Sequence, residues 1–293
     1  MHKIACLGLG IMGGRMAARL FDAGFDVTVW NRSIGPTESL RARGARVARS
    51  PADAAAGAEA AITMLSDPAS VRDVALGAGG LVEALPAGSV FIDMTTVDPA
   101  TARGLDCACR ARGVAFLEAP VTGSKLAAEA GELVIMVGGE REVVDRVAPL
   151  FAPLAKRVVH MGPVGTGSTM KLVNNLVIAG SMLALFEALL MGRAAGLSDQ
   201  RMLEVLTNSA MASPLLAMKG RAAATRDFEP HFAFKHMAKD IRLARAEAAS
   251  LGAPSELTEL LHSLFARGLE QGYDEEDFAA LIKVVERSKA VDG

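Results

Sequence analysis

The sequence predicts an α/β chain in two parts: a doubly wound parallel sheet over residues 1–163, then an all-helical half over residues 164–293. Three observations predict it. Short apolar runs alternate with Ala-rich segments of helical period as far as Gly162-Pro163, and from Gly165 onward no strand pattern recurs. The composition, 51% hydrophobic but only 4% aromatic, also requires aliphatic cores of the kind that α/β and all-α folds build.

The first element sets the pattern for the sheet half. Lys3–Leu7 is a short apolar run, Gly8-Leu9-Gly10-Ile11-Met12-Gly13 follows it, and Gly14–Ala23 has helical spacing. In this strand, turn and helix, Gly8 permits the turn, Gly10 lets backbone approach a pyrophosphate, and Gly13 lets helix and strand lie close together. The helix N-terminus then faces the phosphates, as in a Rossmann-type dinucleotide site. Phe25–Trp30 alternates and closes the βαβ unit. After it, where an acidic residue would hold the ribose 2′-hydroxyl of NAD, the chain reads Asn31-Arg32-Ser33. A guanidinium can hold a 2′-phosphate bidentately and a carboxylate would repel it, so the expected cofactor is NADP(H).

Further strands are expected at Glu59–Leu65, Ser89–Met94, Val114–Ala119, Leu133–Val137 and Arg157–Met161. Ligands lie beyond the carboxyl ends of such strands, which places Met64, Leu65, Ser66, Thr95 and Thr96 at the cofactor crevice. Asp67-Pro68 and Asp98-Pro99 read as helix N-caps. The turn Pro120-Val-Thr122-Gly123-Ser124-Lys125 offers backbone N–H groups and hydroxyls suited to a carboxylate or phosphate oxygen.

The second half should contain helices at Gly167–Gly192, Ser198–Ser209, Phe234–Leu251, Ser255–Gly268 and Asp274–Lys289, with Ser198, Ser255 and Asp274 as caps. Its leading helix is apolar on almost every side from Leu172 to Leu190 and should be buried nearly all round. Asn174, Asn175 and Glu187 interrupt it and no basic flank follows directly, so it reads as a soluble core helix, not a membrane span. Lys171, Asn174, Asn175 and Ile178 share one side of it. A lysine there either snorkels from the first turn to solvent or meets a carboxylate or a ligand oxygen. The paired amides beside it favour a site.

Charge and cysteine usage narrow the classes. With 31 basic and 33 acidic residues the net charge is −2, which gives no pull towards nucleic acid or anionic membrane. Cys6, Cys107 and Cys109 form neither a disulfide framework nor a metal-ligand spacing, and the five histidines are scattered; reduced thiols suit a cytoplasmic protein without a metal.

Taken together, GLGIMG, Asn31-Arg32-Ser33, Ala119-Pro-Val-Thr-Gly123, the Gly165-x-Gly-x3-Lys171-x3-Asn175 spacing and Lys239-Asp240 resemble the β-hydroxyacid dehydrogenases over essentially the whole chain. Met64-Leu-Ser-Asp-Pro68, Val121-Thr-Gly-Ser-Lys125 and Phe234-Lys-His-Met-Ala-Lys-Asp240 are most similar to the glyoxylate/succinic semialdehyde reductases among them. The resemblance implies that Gly8 to Gly13, Asn31, Arg32, Ser33, Thr96 and Lys239 bind NADP(H). It further implies that Thr122, Gly123 and Ser124 hold a substrate carboxylate, that Lys171 is the catalytic acid/base, that Asn175 is a substrate ligand, and that Phe232 and Asp240 wall the pocket. Thr122 and Ser124 depart from the Ser and Gly common in that family; Thr122 keeps the hydroxyl but adds a methyl, which bears on pocket size.

The chemistry agrees with the residues. Aldehyde reduction builds negative charge on oxygen, and a lysine, with a reference pKa of about 10.4, can donate a proton to it. The expected substrate is a small aldehyde-acid such as succinic semialdehyde or glyoxylate. 3-Hydroxyisobutyrate oxidation and tartronate semialdehyde reduction are the near alternatives, and a non-catalytic NADP-binding scaffold is the alternative of another class. The small residues Ala179, Gly180, Ser181, Ala184 and Ala188 point to a homodimer or homotetramer.

Overall fold

The computed structural model describes residues 1–288. The chain divides into two compact units, residues 1–171 and residues 172 onward. The first unit runs β1 (Lys3–Leu7), α1 (Gly13–Asp22), β2 (Asp26–Trp30), α2 (Glu38–Ala42), β3 (Arg46–Val47), α3 (Pro51–Ala55), β4 (Ala60–Thr63), α4 (Pro68–Leu76), α5 (Leu81–Ala84) and β5 (Val90–Asp93). It continues with α6 (Pro99–Arg110), β6 (Ala115–Glu118), β7 (Val121–Thr122), α7 (Lys125–Ala130), β8 (Leu133–Gly139), α8 (Arg141–Phe151) and β9 (Ala155–Gly162). Then α9 (Thr166–Ala194) begins, and α10 (Asp199–Leu206), α11 (Pro214–Thr225), α12 (Phe234–Leu251), α13 (Glu256–Glu270), a 3₁₀ turn at Phe278–Ala280 and α14 (Leu281–Ser288) follow.

The sheet order is β3-β2-β1-β4-β5-β6-β8-β7, with β9 paired to β8. All pairings from β3 to β6 are parallel; β8 runs antiparallel to β6 and β7, and β9 is parallel to β8. The strand order reverses at β1/β4, and that switch point opens a crevice at the carboxyl ends of the strands. Successive side chains feed opposite cores. Ile4 and Cys6 pack with Met16, Leu20, Val147 and Leu150 on one face, while Ala5 and Leu7 pack with Val71, Leu81, Leu105 and Phe116 on the other. Each fully buried aliphatic side chain contributes about 1.5–3 kcal/mol relative to exposure.

The glycines of the first turn act through space as well as conformation. Gly8 has φ +93°, and a Cβ there would stand 2.4 Å from Met64 O; one on Gly13 would stand 2.0 Å from Gly8 O. Helix α1 can meet the end of β1 only without a side chain at Gly13, and the turn can pass Met64 at the end of β4 only without one at Gly8. Asp67 and Asp98 do cap α4 and α6, accepting from Ser70 N and Thr101 N at 2.8 Å each.

Several details depart from expectation. The strands β3 and β7 have two residues each and carry too little pattern to be read. Helix α11 was not expected, although Ser213 caps it, accepting from Leu216 N at 3.1 Å, and Pro214 opens it. Ser198 and Ser255 stand at N-cap positions without making a side-chain cap bond. The last helix starts later than Asp274: Asp277 caps the 3₁₀ turn before α14, accepting from Ala279 N, and Lys289 lies outside the described residues. Nor is α9 buried all round. Val173, Val177, Ser181, Ala184, Ala188 and Met191 form an exposed stripe, while Ala179, Met182, Phe186 and Leu189 enter the core of the helical unit with α11 to α14.

Candidate active site

In the sheet unit the predicted cofactor residues gather at the carboxyl ends of β1, β2, β4 and β5. Helix α1 starts with no side-chain cap and no acid in its first turn, so its N-terminal dipole is left for an anion. A Cβ on Gly10 would meet nothing within 4 Å, which leaves room for a ligand to approach the backbone. Ile11 is exposed and Met12 half-buried beside it. Asn31 ties the turn to β2: its Oδ1 accepts from Leu9 N at 2.9 Å, while its Nδ2 donates to Ser33 O at 2.9 Å and Ser33 Oγ at 3.1 Å. Arg32 between them is exposed. These features fit a dinucleotide, whose pyrophosphate needs amide donors and an open glycine and whose ribose meets the end of β2.

Beyond β4 and β5 a polar brace holds the crevice wall. The buried Asp93 Oδ1 accepts from Thr63 Oγ1 at 2.8 Å and Thr95 N at 3.0 Å, and Thr95 Oγ1 accepts from Leu65 N at 3.0 Å. Thr95 is therefore committed to the wall, whereas Thr96, Met64 and Leu65 are half-buried and Ser66 is exposed.

The turn after β7 has a left-handed glycine and a helix cap. Gly123 has φ +136°, and a Cβ there would stand 2.9 Å from Leu133 Cδ2. Ser124 Oγ accepts from Ala127 N at 3.4 Å, capping α7, a bond that does not use its O–H. Thr122 is half-buried.

Lys171 lies in the second turn of α9 and is buried, 9% exposed. Asn175, one turn further along, belongs to the helical unit, where its Nδ2 donates to Asp240 Oδ2 at 2.6 Å and its Oδ1 accepts from Asn174 Nδ2 at 3.0 Å. Asp240 is buried, and Lys239 Nζ lies 3.0 Å from its Oδ1. The structure thus joins Asn175, Asp240 and Lys239 in one network on α9 and α12. Phe232 stacks on His236 with centroids 6.1 Å apart, and burial, reinforced by the Lys239 charge, pulls the His236 imidazolium below its usual range. Phe232 N and His231 N donate to Asp277 Oδ2 at 3.2 and 3.0 Å, and Lys219 Nζ donates to both oxygens of Asp277 at 2.7 and 2.8 Å.

Asp93 and a second acid not among the sequence candidates, Glu118, carry a signal in the chain. Asp93 and Glu118 each end an otherwise apolar strand, and they are register partners on β5 and β6. Burial pushes the Glu118 carboxyl up to about 7 against amide bonds that pull it down. Asp277 and Lys219 are far apart in sequence and sit in charged stretches, which hides their pairing.

Known proteins bear on the site as follows. A family model described as the NAD binding domain of 6-phosphogluconate dehydrogenase matches residues 3–162, and one described as "NAD-binding of NADP-dependent 3-hydroxyisobutyrate dehydrogenase" matches residues 165–285. Glyoxylate/succinic semialdehyde reductase 1 of Arabidopsis thaliana is 36% identical over 287 residues, 98% of this chain and 99% of that protein. The NAD-dependent L-serine dehydrogenase of Pseudomonas aeruginosa is 35% identical over 291 residues, 97% of this chain and 98% of that one. The structure of Mycobacterium tuberculosis 3-hydroxyisobutyrate dehydrogenase with L-serine superposes with a TM-score of 0.87 at 31% identity, covering 97% of this chain and 99% of the other.

Proposed function

The chain belongs to the β-hydroxyacid dehydrogenase family of nicotinamide-dependent oxidoreductases, and from that premise we propose that it reduces a small aldehyde-acid, succinic semialdehyde or glyoxylate, to the hydroxy acid with NADPH. The observation that carries this reading is Lys171, an amine buried on α9 one turn before an asparagine whose amide is held by Asp240.

Gly8 to Gly13 would hold the pyrophosphate, Asn31, Arg32 and Ser33 the 2′-phosphate, and Met64, Leu65, Ser66, Thr96 and Lys239 the remainder of the dinucleotide. The absence of an acid at Asn31-Arg32-Ser33 and the exposed Arg32 support NADP(H) over NAD(H). When bound, the reduced nicotinamide supplies the hydride. Thr122, Gly123 and Ser124 would take the substrate carboxylate, through their hydroxyls and the N–H groups of the turn. The Lys171 ammonium would donate its proton to the carbonyl oxygen as charge develops there, with Asn175 fixing the substrate and Phe232 and Asp240 bounding the pocket. The exposed stripe of α9 from Val173 to Met191 supports a homo-oligomer that covers it.

The test is kcat/KM for succinic semialdehyde, glyoxylate, tartronate semialdehyde and 3-hydroxyisobutyrate with both nicotinamide cofactors, in wild type and Lys171→Ala. NADPH with one of the first two should give the highest value, and the variant should lose roughly 10²–10⁴ in kcat. A higher kcat/KM with NADH would overturn the cofactor assignment, and the highest value on 3-hydroxyisobutyrate, assayed with the oxidised cofactor, would replace this reading with that of a hydroxy-acid dehydrogenase.

A further inference from the structure

Glu118 closes β6 at 0% exposure, and no ionised side chain pairs with it among the described residues. Its Oε1 accepts from Gly165 N at 2.6 Å and Gly167 N at 3.1 Å, and the Ser168 amide adds a third favourable dipole. These amides open α9. A Cβ on Gly167 would stand 2.7 Å from Met136 O and 2.8 Å from Gly138 N, and one on Gly138 would stand 2.1 Å from Glu118 Oε1. The helix therefore begins directly on the backbone of β8 with the carboxylate wedged beneath it. Lys171 lies four residues after Gly167, on the same side of α9.

Capping alone does not account for this arrangement. Asp67 and Asp98 cap their helices near the surface with both oxygens engaged: Asp67 by Ser70 N and Ser66 Oγ, Asp98 by Thr101 N and Thr101 Oγ1. Glu118 does so inside the protein, with Oε2 buried and without a hydrogen-bond partner among the described residues, which is costly.

We propose that Glu118 is a positioning residue for Lys171, gripping the first amides of α9 through its carboxylate and so fixing where the helix delivers the amine. The grip depends on charge, because a carboxylate accepts from helix N-terminal amides more strongly than the neutral acid does. Burial brings this group to about 7, so both forms are populated near neutrality. Among the ionisable groups on the elements packed around it are Asp93 on β5, Arg103 on α6 against Gly165, His160 on the adjoining β9, Lys171 itself, and the exposed Arg141, Glu142, Asp145 and Arg146 of α8; Asp106, Cys107, Cys109 and Arg110 lie further along α6, and Lys156 and Arg157 are exposed on β9.

The proposal rests on Lys171 being the proton donor, and its test separates the two. Glu118→Gln, Glu118→Ala and Lys171→Ala are compared for kcat, KM and the pH profile of kcat, with far-UV circular dichroism to verify folding. Glu118→Gln should keep both KM values within about twofold, lower kcat roughly 10- to 100-fold and abolish the kcat inflection near neutrality; Glu118→Ala should be slower still. A Glu118→Gln enzyme with wild-type kcat and an unchanged profile overturns the proposal, and if Lys171→Ala is inactive at the same time the proton-donor reading survives. A fully active Lys171→Ala removes the premise. Should neither Glu118 variant fold, the wild-type amide resonances of Gly165 and Gly167 decide: a shared titration near neutrality supports the grip, and flat shifts from about pH 5.5 to 8.5 overturn it.

Discussion

The two units each bury a carboxylate, and they satisfy it by opposite means. In the helical unit Asp277 receives Lys219 on both oxygens, together with the amides of His231, Phe232 and Ala279. In the sheet unit Glu118 receives, among the described residues, backbone amides on one oxygen only. Burial pulls the Lys219 ammonium down from the usual lysine range and Asp277 opposes that pull, so the pair is locked together. A buried anion given a counter-ion becomes a rivet; one given only amides stays responsive to protons.

That contrast can be broken most forcefully at the rivet. Asp277→Asn leaves a buried ammonium without its counter-charge and should cost about 3–5 kcal/mol of stability, read as a large fall in unfolding midpoint. A change below about 1 kcal/mol would mean that the pair is solvated in solution. The next largest effect concerns pH. The Glu118 carboxyl is raised from an ordinary 4.5 to about 7, so the fold favours its neutral form. Its contribution is complete below about 4.5 and is lost as pH rises through about 7, roughly 3 kcal/mol over that window. Glu118→Gln should therefore gain on wild type in unfolding midpoint between pH 5 and pH 8; parallel midpoints would show that the acid ionises normally. The smallest effect belongs to a half-exposed cap: Asp98→Ala should cost about 1 kcal/mol and leave kcat untouched, since it ends only the bonds to Thr101.

How much of this was legible in the chain follows from how local each signal is. The βαβ opening, the seven longer strands and the long helices write their period into contiguous residues, and Gly8 and Gly13 are demanded by a turn whose two sides are adjacent in sequence. The candidate residues stand out in the chain for the same reason, being clustered in short motifs at strand ends and on α9. Strands β3 and β7 are too short to show alternation, and α11 was hidden although Ser213-Pro214 announced it. Glu118 was passed over because an acid at the end of an apolar strand declares its meaning only when Gly165 and Gly167, almost fifty positions later, fold back onto it. Asp277 was missed in favour of Asp274, since which of several neighbouring acids turns inward depends on a lysine that arrives from α11. The exposed stripe of α9 shows the converse error: an apolar surface in sequence need not be covered within one copy of the chain.

The opening turn separates architecture from affinity. Gly8 and Gly13 interlock so tightly that neither admits a methyl group, whereas Gly10 has a negative-side backbone conformation and empty surroundings. Alanine at residue 10 would leave folding intact and intrude only on whatever docks there. The loop thus contains a natural dial for nucleotide affinity, and turning it would yield a folded, ligand-poor twin of the enzyme.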